Sequence, residues 1–250
     1  DNPITGDYDI QVNGWAVPYG PQEYFICYEF IDNNVEITHP IGGESMVPGE
    51  YAVIRWDAID NGQNFTVEYS NNNGSSWSTL NNNISSDLNH YVWQVPNNVN
   101  NQSKVRVSRG SSSSSSHETF TIIDVPSNLS VYWPCPDSIY VSWNSVSGAT
   151  SYEISMLGQK YMDSIYTTNL TSTWLINPNP TVTDSWFSVK SILNGGKGRR
   201  AVAVSAQAQN SACSGYGCTD PNAYNYSNLA IVNDGSCCYV AGCTDATAIN

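Results

Sequence analysis

The chain has 250 residues, and only 12% of them are charged, about half of the roughly 25% that soluble domains usually carry. Nine Lys and Arg residues stand against 22 Asp and Glu residues, which leaves a net charge of −13. This balance argues against nucleic acid or an anionic membrane surface as a partner, because both attract basic patches, and it favours cations. No apolar run approaches the ~20 residues of a membrane-spanning helix, so we expect no membrane insertion.

Residues 1–34 contain two strand-like runs, at 8–12 and at 24–30. Two strands are too few to close a sandwich, so we expect this segment to be the C-terminal part of a preceding β-sandwich domain. Cys27 lies in the second run, whose aromatic density indicates a packed strand and a buried, inert thiol. If a strand from a neighbouring copy completes this part domain, the chain polymerises by β-augmentation.

Residues 35–124 and 125–213 consist of short segments rich in Val, Ile, Thr, Tyr and Trp, separated by Gly, Asn and Pro. The segments alternate with the period of two that is typical of antiparallel sheets with one buried face. Each stretch has about the length of one immunoglobulin-like sandwich. The linker is Asp124–Ser127, and the serine run 111–116 is predicted to be a flexible loop. The fold class is therefore all-β, with tandem antiparallel β-sandwiches followed by a small disulfide-stapled repeat.

Five motifs follow one another along residues 35–124. They are His39–Ser45, Ile54–Trp56, Val67–Ser70, Tyr91–Pro96 and Lys104–Ser108. In this order they resemble an immunoglobulin-like family that is common in secreted bacterial proteins. Asn73-Gly74 predicts a hairpin turn with positive φ. Trp56, Trp77 and Trp93 are candidates for the packed interior, with a binding groove lined by them as the alternative.

Residues 125–213 carry Ile139–Trp143, Ser147–Ile154 and Trp186–Lys190, which resemble a fibronectin type III domain. The resemblance implies that Trp143 belongs to the core. It also implies a tyrosine just before the late strand, where this chain has Ser185, so Trp186 is expected to take over part of the packing. Cys135 and Cys213 flank the module, and we expect a disulfide between them to close its ends.

The last segment, residues 214–250, begins a Gly-Cys-Thr-Asp motif at residue 217 and begins it again 25 residues later, at 242. We expect this second copy to be cut short. The pattern resembles the acidic cysteine repeats, distantly like thrombospondin type 3 repeats, of long surface proteins exported by the type IX secretion route. Such units lack an apolar core. The resemblance implies a bridge between Cys218 and Cys237, and it leaves Cys238 to pair with Cys243 or with a neighbouring copy.

Side chains with oxygen atoms that suit Ca²⁺ are crowded into the same repeat. They are Asp220, Asn222, Asn225, Asn233 and Asp234. Their spacing is not that of an EF-hand. Asx residues also cap turns without an ion, so a simply stapled loop is the alternative. A zinc–thiolate site is disfavoured, because this end has neither a His nor a paired C-x-x-C motif.

Two segments, Asp137-Ser138-Ile139 and Asp163-Ser164-Ile165, match a D-S/T-apolar signal. The signal resembles the one at which bacteria with type IX export attach O-glycans. The resemblance implies glycosylation of Ser138 and Ser164, and both hydroxyls should then face solvent.

The sequence has no H-E-x-x-H, G-x-S-x-G or phosphate-loop motif, and His39, His90 and His117 lack an obvious Ser or Cys partner. We therefore expect no enzyme activity and no cofactor other than Ca²⁺. The expected function is a non-catalytic structural or adhesive segment of a secreted, glycosylated cell-surface or filament protein, with neighbouring copies or modules as partners. The alternative is a set of accessory modules behind the catalytic domain of a secreted hydrolase, such as a subtilisin-like protease.

Overall fold

The computed structural model describes residues 8–16, 18–28, 34–179, 181–209, 216–228, 230, 232–233, 235 and 237–239. All regular secondary structure within these ranges is β-strand, and none of these residues lies in a helix that could span a membrane. Two antiparallel sandwiches are followed by a small disulfide-bonded loop. The predicted all-β fold class is confirmed.

The first module has two sheets packed face to face. Its strands are β1 Glu36–His39, β2 Ser45–Met46, β3 Tyr51–Asp57, β4 Phe65–Ser70, β5 Ser78–Ile84, β6 His90–Gln94, β7 Asn100–Arg109, β8 Ser112–Ser115 and β9 Phe120–Ile122. One sheet has the order β1-β3-β6, and the other has the order β2-β9-β7-β4-β5 with β8 beside β7. The short β2 runs parallel to β9.

The core of the first module follows from the alternation within its strands. On β3, Ile54 and Trp56 are buried, whereas Arg55 between them is exposed. Trp93 on β6 belongs to the same buried cluster. Trp56 packs against Phe65 with ring centroids 5.1 Å apart, a geometry that adds to the burial of both rings.

The hairpin between β4 and β5 turns at Asn73-Gly74, where φ is 55° and 85°. This is the turn that the Asn-Gly pair predicts. A Cβ on Gly74 would lie 3.2 Å from Trp77, which places this ring against the turn. Trp77 is only half-buried, and the Arg106 guanidinium lies 4.5 Å from its centroid. The prediction that Trp77 belongs to the interior is therefore wrong.

The serine run forms a strand, so the prediction of a flexible loop is wrong. Strand β8 pairs with β7, and alternate hydroxyls of the run bond to the backbone around β1. Serine can do this because its hydroxyl both donates and accepts. The bonds run from Val35 N to Ser112 Oγ (2.9 Å), from Ile37 N to Ser114 Oγ (3.1 Å) and from Ser116 Oγ to Pro40 O (2.8 Å).

The second module is also a sandwich of two sheets. Its strands are β10 Ser130–Cys135, β11 Ser138–Ser142, β12 Ser151–Leu157, β13 Met162–Thr168, β14 Ser172–Ile176, β15 Asp184–Leu193, β16 Gly196–Arg200 and β17 Val204–Gln207. The sheet β10-β11-β14 faces the sheet β13-β12-β15-β16, with β17 beside the first half of β15. Both sheets are antiparallel, as in other sandwiches of this architecture.

The core of the second module contains Trp143, as the resemblance implies. Trp143 is buried and packs against Tyr152 with ring centroids 5.3 Å apart. Tyr152 OH accepts a hydrogen bond from Val146 N at 2.8 Å, which ties the loop before β12 to that strand. Trp186 is 49% exposed, so about half of its surface is covered, and the expectation that it takes over part of the packing of the missing tyrosine at Ser185 stays a prediction.

The segment before the first module differs from its prediction. Residues 8–16 and 18–28 contain no strand, and their side chains are exposed, including that of Cys27. Buried backbone must have its hydrogen bonds satisfied, and no strand among the described residues pairs with this segment. An alternating pattern alone therefore did not produce the packed strand and buried thiol. The assignment of residues 1–34 to a preceding domain stays a prediction.

Candidate functional sites

The two modules meet in a joint to which both contribute side chains. Ile123, directly after β9, is fully buried in the core of the second module. Val99, from the loop between β6 and β7, packs against the same core. Separating the modules would expose these side chains to water. The free-energy cost is roughly 1.5–3 kcal/mol for a side chain that is fully buried. The joint is therefore held by apolar burial as well as by the linker.

Two glycines of the second module allow its backbone to approach these side chains. Gly148 has a φ of +80°, and a Cβ there would lie 2.8 Å from Val99. A Cβ on Gly198 would lie 2.9 Å from Ile123. Carbon atoms in contact are usually 3.5–4.0 Å apart, so the joint as it stands requires glycine at both positions.

Polar contacts surround the apolar part of the joint. Arg199 Nη2 lies 2.6 Å from Glu50 Oε1, Asn101 Nδ2 donates to Asn194 O at 3.3 Å, and Ser191 Oγ donates to Asp124 O at 2.7 Å. The contacts come from β15, from the β15–β16 turn and from β16. The modules are thus held at several points.

A cluster of charges lies on the sheet formed by β12, β15 and β16. Glu153 lies 2.7 Å from Lys190 Nζ, 3.0 Å from Lys197 Nζ and 3.7 Å from Arg200 Nη2. The side chains of Glu153 and Lys190 are only 8% and 10% exposed. Burial raises the pKa of Glu153, but hydrogen bonds from Lys190 and Lys197 outweigh it and hold the pKa below its ordinary value. The carboxylate therefore joins three strands in its charged form.

The bridge between Cys218 and Cys237 is present and closes the loop after the second module. Cys218 is fully buried. Two short strands, β18 Tyr216–Gly217 and β19 Val232–Asn233, pair in parallel beside it. With so little paired backbone, the loop depends on its staple.

The described residues of the predicted calcium site hydrogen-bond within this loop. Asp220 Oδ1 accepts from Asn222 N at 2.9 Å, and its Oδ2 accepts from Tyr239 OH at 2.8 Å. These bonds lower the pKa of Asp220, and the second raises the pKa of Tyr239.

Two further predicted ligands, Asn225 and Asn233, also accept hydrogen bonds from backbone amides of this loop. Asn225 Oδ1 accepts from Cys238 N at 2.7 Å, and Asn233 Oδ1 accepts from Gly235 N at 3.0 Å. Asp234 lies outside the described residues. The bond from Gly235 N to Asn233 is that of a turn-capping Asx residue, whereas Asn225 accepts across the loop from a residue 13 positions later. Calcium binding stays a prediction.

The remaining cysteine pairings fall partly outside the described residues. Cys135 is buried at the end of β10. Gln209 N donates to Trp133 O at 2.9 Å, so the chain passes beside β10 four residues before Cys213. Cys213 and Cys243 are outside the described ranges. The pairing of Cys135 with Cys213, and of Cys238 with Cys243, stays a prediction.

The two serines of the glycan signal differ in exposure. Ser164 is exposed on β13 and meets the condition for a modified hydroxyl. Ser138 is 4% exposed, and its Oγ is buried. A sugar cannot be carried by a hydroxyl from which even water is excluded, so the interpretation of Ser138 as a glycan site does not fit the folded module.

Two of the histidines lie near carboxylates of the first module. His39 Nδ1 is 3.8 Å from Glu44 Oε1, and His117 Nε2 is 3.3 Å from Glu36 Oε1. Neither contact is to a serine or a cysteine, so neither activates a nucleophile.

No protein-family model matches the chain, and no curated protein matches it. Solved structures that resemble it include fibronectin type III domains. A two-domain segment of chicken tenascin is 15% identical and aligns over 70% of this chain and 98% of its own, with a TM-score of 0.37. The FN1–FN3 domains of chicken CNTN1 are 14% identical over 68% of this chain and 69% of theirs, with a TM-score of 0.32. The FN5 domain of Drosophila Lar is 18% identical over 35% of this chain and 98% of its own, with a TM-score of 0.29.

Proposed function

We propose that the two modules form a rigid, non-catalytic segment of a secreted surface protein, which holds the parts on either side of it apart and in a fixed orientation. The observation that carries this proposal is the joint, where Ile123 and Val99 of the first module pack into the core of the second. Relative motion of domains is the rule unless their interface is large and apolar. Apolar burial together with polar contacts at several points therefore supports a fixed angle.

Chemistry outside the joint supports an extracellular location. Disulfides such as Cys218–Cys237 persist mainly in oxidising compartments. The exposed hydroxyl of Ser164 supports an attached glycan on a surface that is poor in charge. We propose neighbouring copies or modules of the same protein as the partners of this segment in a filament.

Backbone ¹⁵N relaxation tests the rigidity directly. We expect both modules to share one overall rotational correlation time, because the joint prevents independent tumbling. A Gly148→Leu variant is the control, since a side chain there would collide with Val99 of the first module. Its modules should keep their folds and tumble at separate rates. Separate rates in the unaltered chain would overturn the proposal.

A further inference from the structure

A groove opens at the end of the second module opposite the joint. Strand β12 starts at the loop of Gly148, which contacts the first module, and it ends at Leu157, which lines the groove. The β12–β13 turn, the β14–β15 loop and β17 complete its walls, and its volume is about 1010 Å³. Trp186 in the wall is 49% exposed and Leu157 is 41% exposed. The first module therefore leaves this groove open.

The lining combines apolar side chains with two carboxylates. Met156, Ile165 and Val182 supply apolar surface, and Asp163 and Asp184 supply negative charge. Among the described lining residues there is no Lys, Arg or His. Neither carboxylate forms an ion pair within the described part of the chain. Lys and Arg have an apolar stem and a cationic head, and such a side chain matches both halves of this lining.

Two further features fit an extended peptide. Gln159 and Gln207 line the groove, and a glutamine amide can donate to and accept from a peptide backbone. Strand β13, which carries Asp163 and Ile165, is the edge of its sheet, and among the described strands it pairs with β12 alone. An edge strand can receive an added strand through main-chain hydrogen bonds.

The stapled loop of this chain is a poor occupant, although its tether is short. Residues 216–239 contain Asp220 and Asp234 and no Lys or Arg. Like charges repel, so the loop would meet the two carboxylates of the groove unfavourably. The occupant has to bring a cation.

We propose that this groove binds an extended peptide segment of a partner protein that places a Lys or Arg beside an apolar residue. The cation lies between Asp163 and Asp184 and over the face of Trp186, where a cation–π contact adds to the ion pairs. The neighbouring apolar side chain covers Met156 and Val182. This inference is independent of the rigid joint, because a flexible pair of modules would leave the groove unchanged.

An NMR titration of the ¹⁵N-labelled full chain in 150 mM NaCl tests the proposal. The probe is acetyl-Val-Arg-Leu-amide, and its matched control has citrulline in place of arginine, which keeps the shape and removes the charge. Amide shifts should concentrate in β13, the β14–β15 loop and β17. The arginine peptide should bind about fivefold or more tightly than the citrulline peptide.

Variants distinguish binding in the groove from a general attraction of the cationic peptide to an acidic chain. Trp186→Ser should weaken the arginine peptide about fivefold, whereas Trp174→Ser, at a ring that is 45% exposed on the other sheet, should leave binding unchanged. Asp163→Asn with Asp184→Asn should also weaken binding about fivefold. Equal binding of the two peptides, shifts spread over the whole surface, or equal effects of the two tryptophan variants would overturn the proposal.

Discussion

Glu153 shows how a chain with few charges uses them inside a sheet. It is nearly buried, and its closest partner, Lys190, is only 10% exposed. Removing one member of a buried ion pair leaves the other charge without compensation, which costs about 3–5 kcal/mol. Lys197 and Arg200 depend on the same carboxylate. The Glu153 side chain therefore helps to hold β12, β15 and β16 together.

We expect Glu153→Gln to lower the free energy of unfolding by about 3–5 kcal/mol, because Lys190 would keep a buried charge. Glu50→Gln is the matched control. It removes the pair with Arg199, whose two side chains are 51% and 49% exposed, and should cost less than about 1 kcal/mol. Urea unfolding at pH 7 measures both, and equal losses would contradict the expectation.

The same pair of proteins should differ less in acid. The folded-state pKa of Glu153 is lowered, so its contribution is present above the unfolded glutamate pKa of about 4.3 and is lost as the pH falls through the folded value. The difference in unfolding free energy between the unaltered chain and Glu153→Gln should therefore shrink below about pH 4. A difference that grows on acidification would contradict this sign.

At the scale of elements, β8 is held in an unusual way. Serine offers little apolar surface to a core, yet alternate hydroxyls of the run satisfy backbone groups of a segment 77 residues earlier. A buried N–H without a partner costs about 1–3 kcal/mol. The serines therefore contribute by satisfying backbone groups of β1, in addition to their own pairing with β7.

Ser114→Ala should lower the free energy of unfolding by about 1 kcal/mol, because Ile37 N–H loses its acceptor. Ser113→Ala, at the exposed neighbour in the same strand, should stay within about 0.5 kcal/mol. Chemical unfolding gives both values, and hydrogen exchange at the Ile37 amide gives an independent reading. Identical exchange rates in the two variants would speak against the side-chain bond.

Most strands could be predicted because one of their faces is buried. The predicted runs 52–56 and 139–143 lie on β3 (Tyr51–Asp57) and β11 (Ser138–Ser142), almost within their bounds. Strand β8 could not be found in this way, since a run of identical polar residues has no period. The segment 24–28 had the period, but none of the described strands pairs with it. Alternation reports which face would be buried, and pairing decides whether a strand forms.

The sites were less predictable than the strands. The Cys218–Cys237 staple followed from the resemblance of its repeat. The joint could not be recognised in the sequence, because Val99 and Ile123 look like ordinary apolar residues of their own module. Only the three-dimensional arrangement shows that their side chains pack in the core of the next one. The groove was equally hidden, since its walls come from a turn, a loop and a strand that lie far apart in the sequence.

At the scale of the whole molecule, the joint couples the two sandwiches. We expect one calorimetric unfolding transition for both modules, because Ile123 cannot leave the second core while β9 stays in place. Gly148→Ala should separate the transition into two, since its Cβ would lie 2.8 Å from Val99. Gly195→Ala is the control, as it has a similar φ of +89° and no atom within 4 Å of the added Cβ.

Gly195→Ala carries the backbone penalty of a positive φ, of roughly 0.5–1 kcal/mol, without a clash at the joint. It should lower the melting temperature slightly and keep the single transition. Two transitions in the unaltered chain, or in both variants alike, would show that the joint does not couple the modules.

The hydrogen bond between Ser191 and the linker carbonyl of Asp124 has a mechanical consequence. Strand β15 pairs with β12, β16 and β17, so it is the most extensively bonded strand of its sandwich. Tension along the chain enters the second module through this linker. Part of the load is then passed sideways to β15 before the first strand of the module is pulled. The bond would therefore make the chain resist peeling at the point where it crosses from one sandwich to the next.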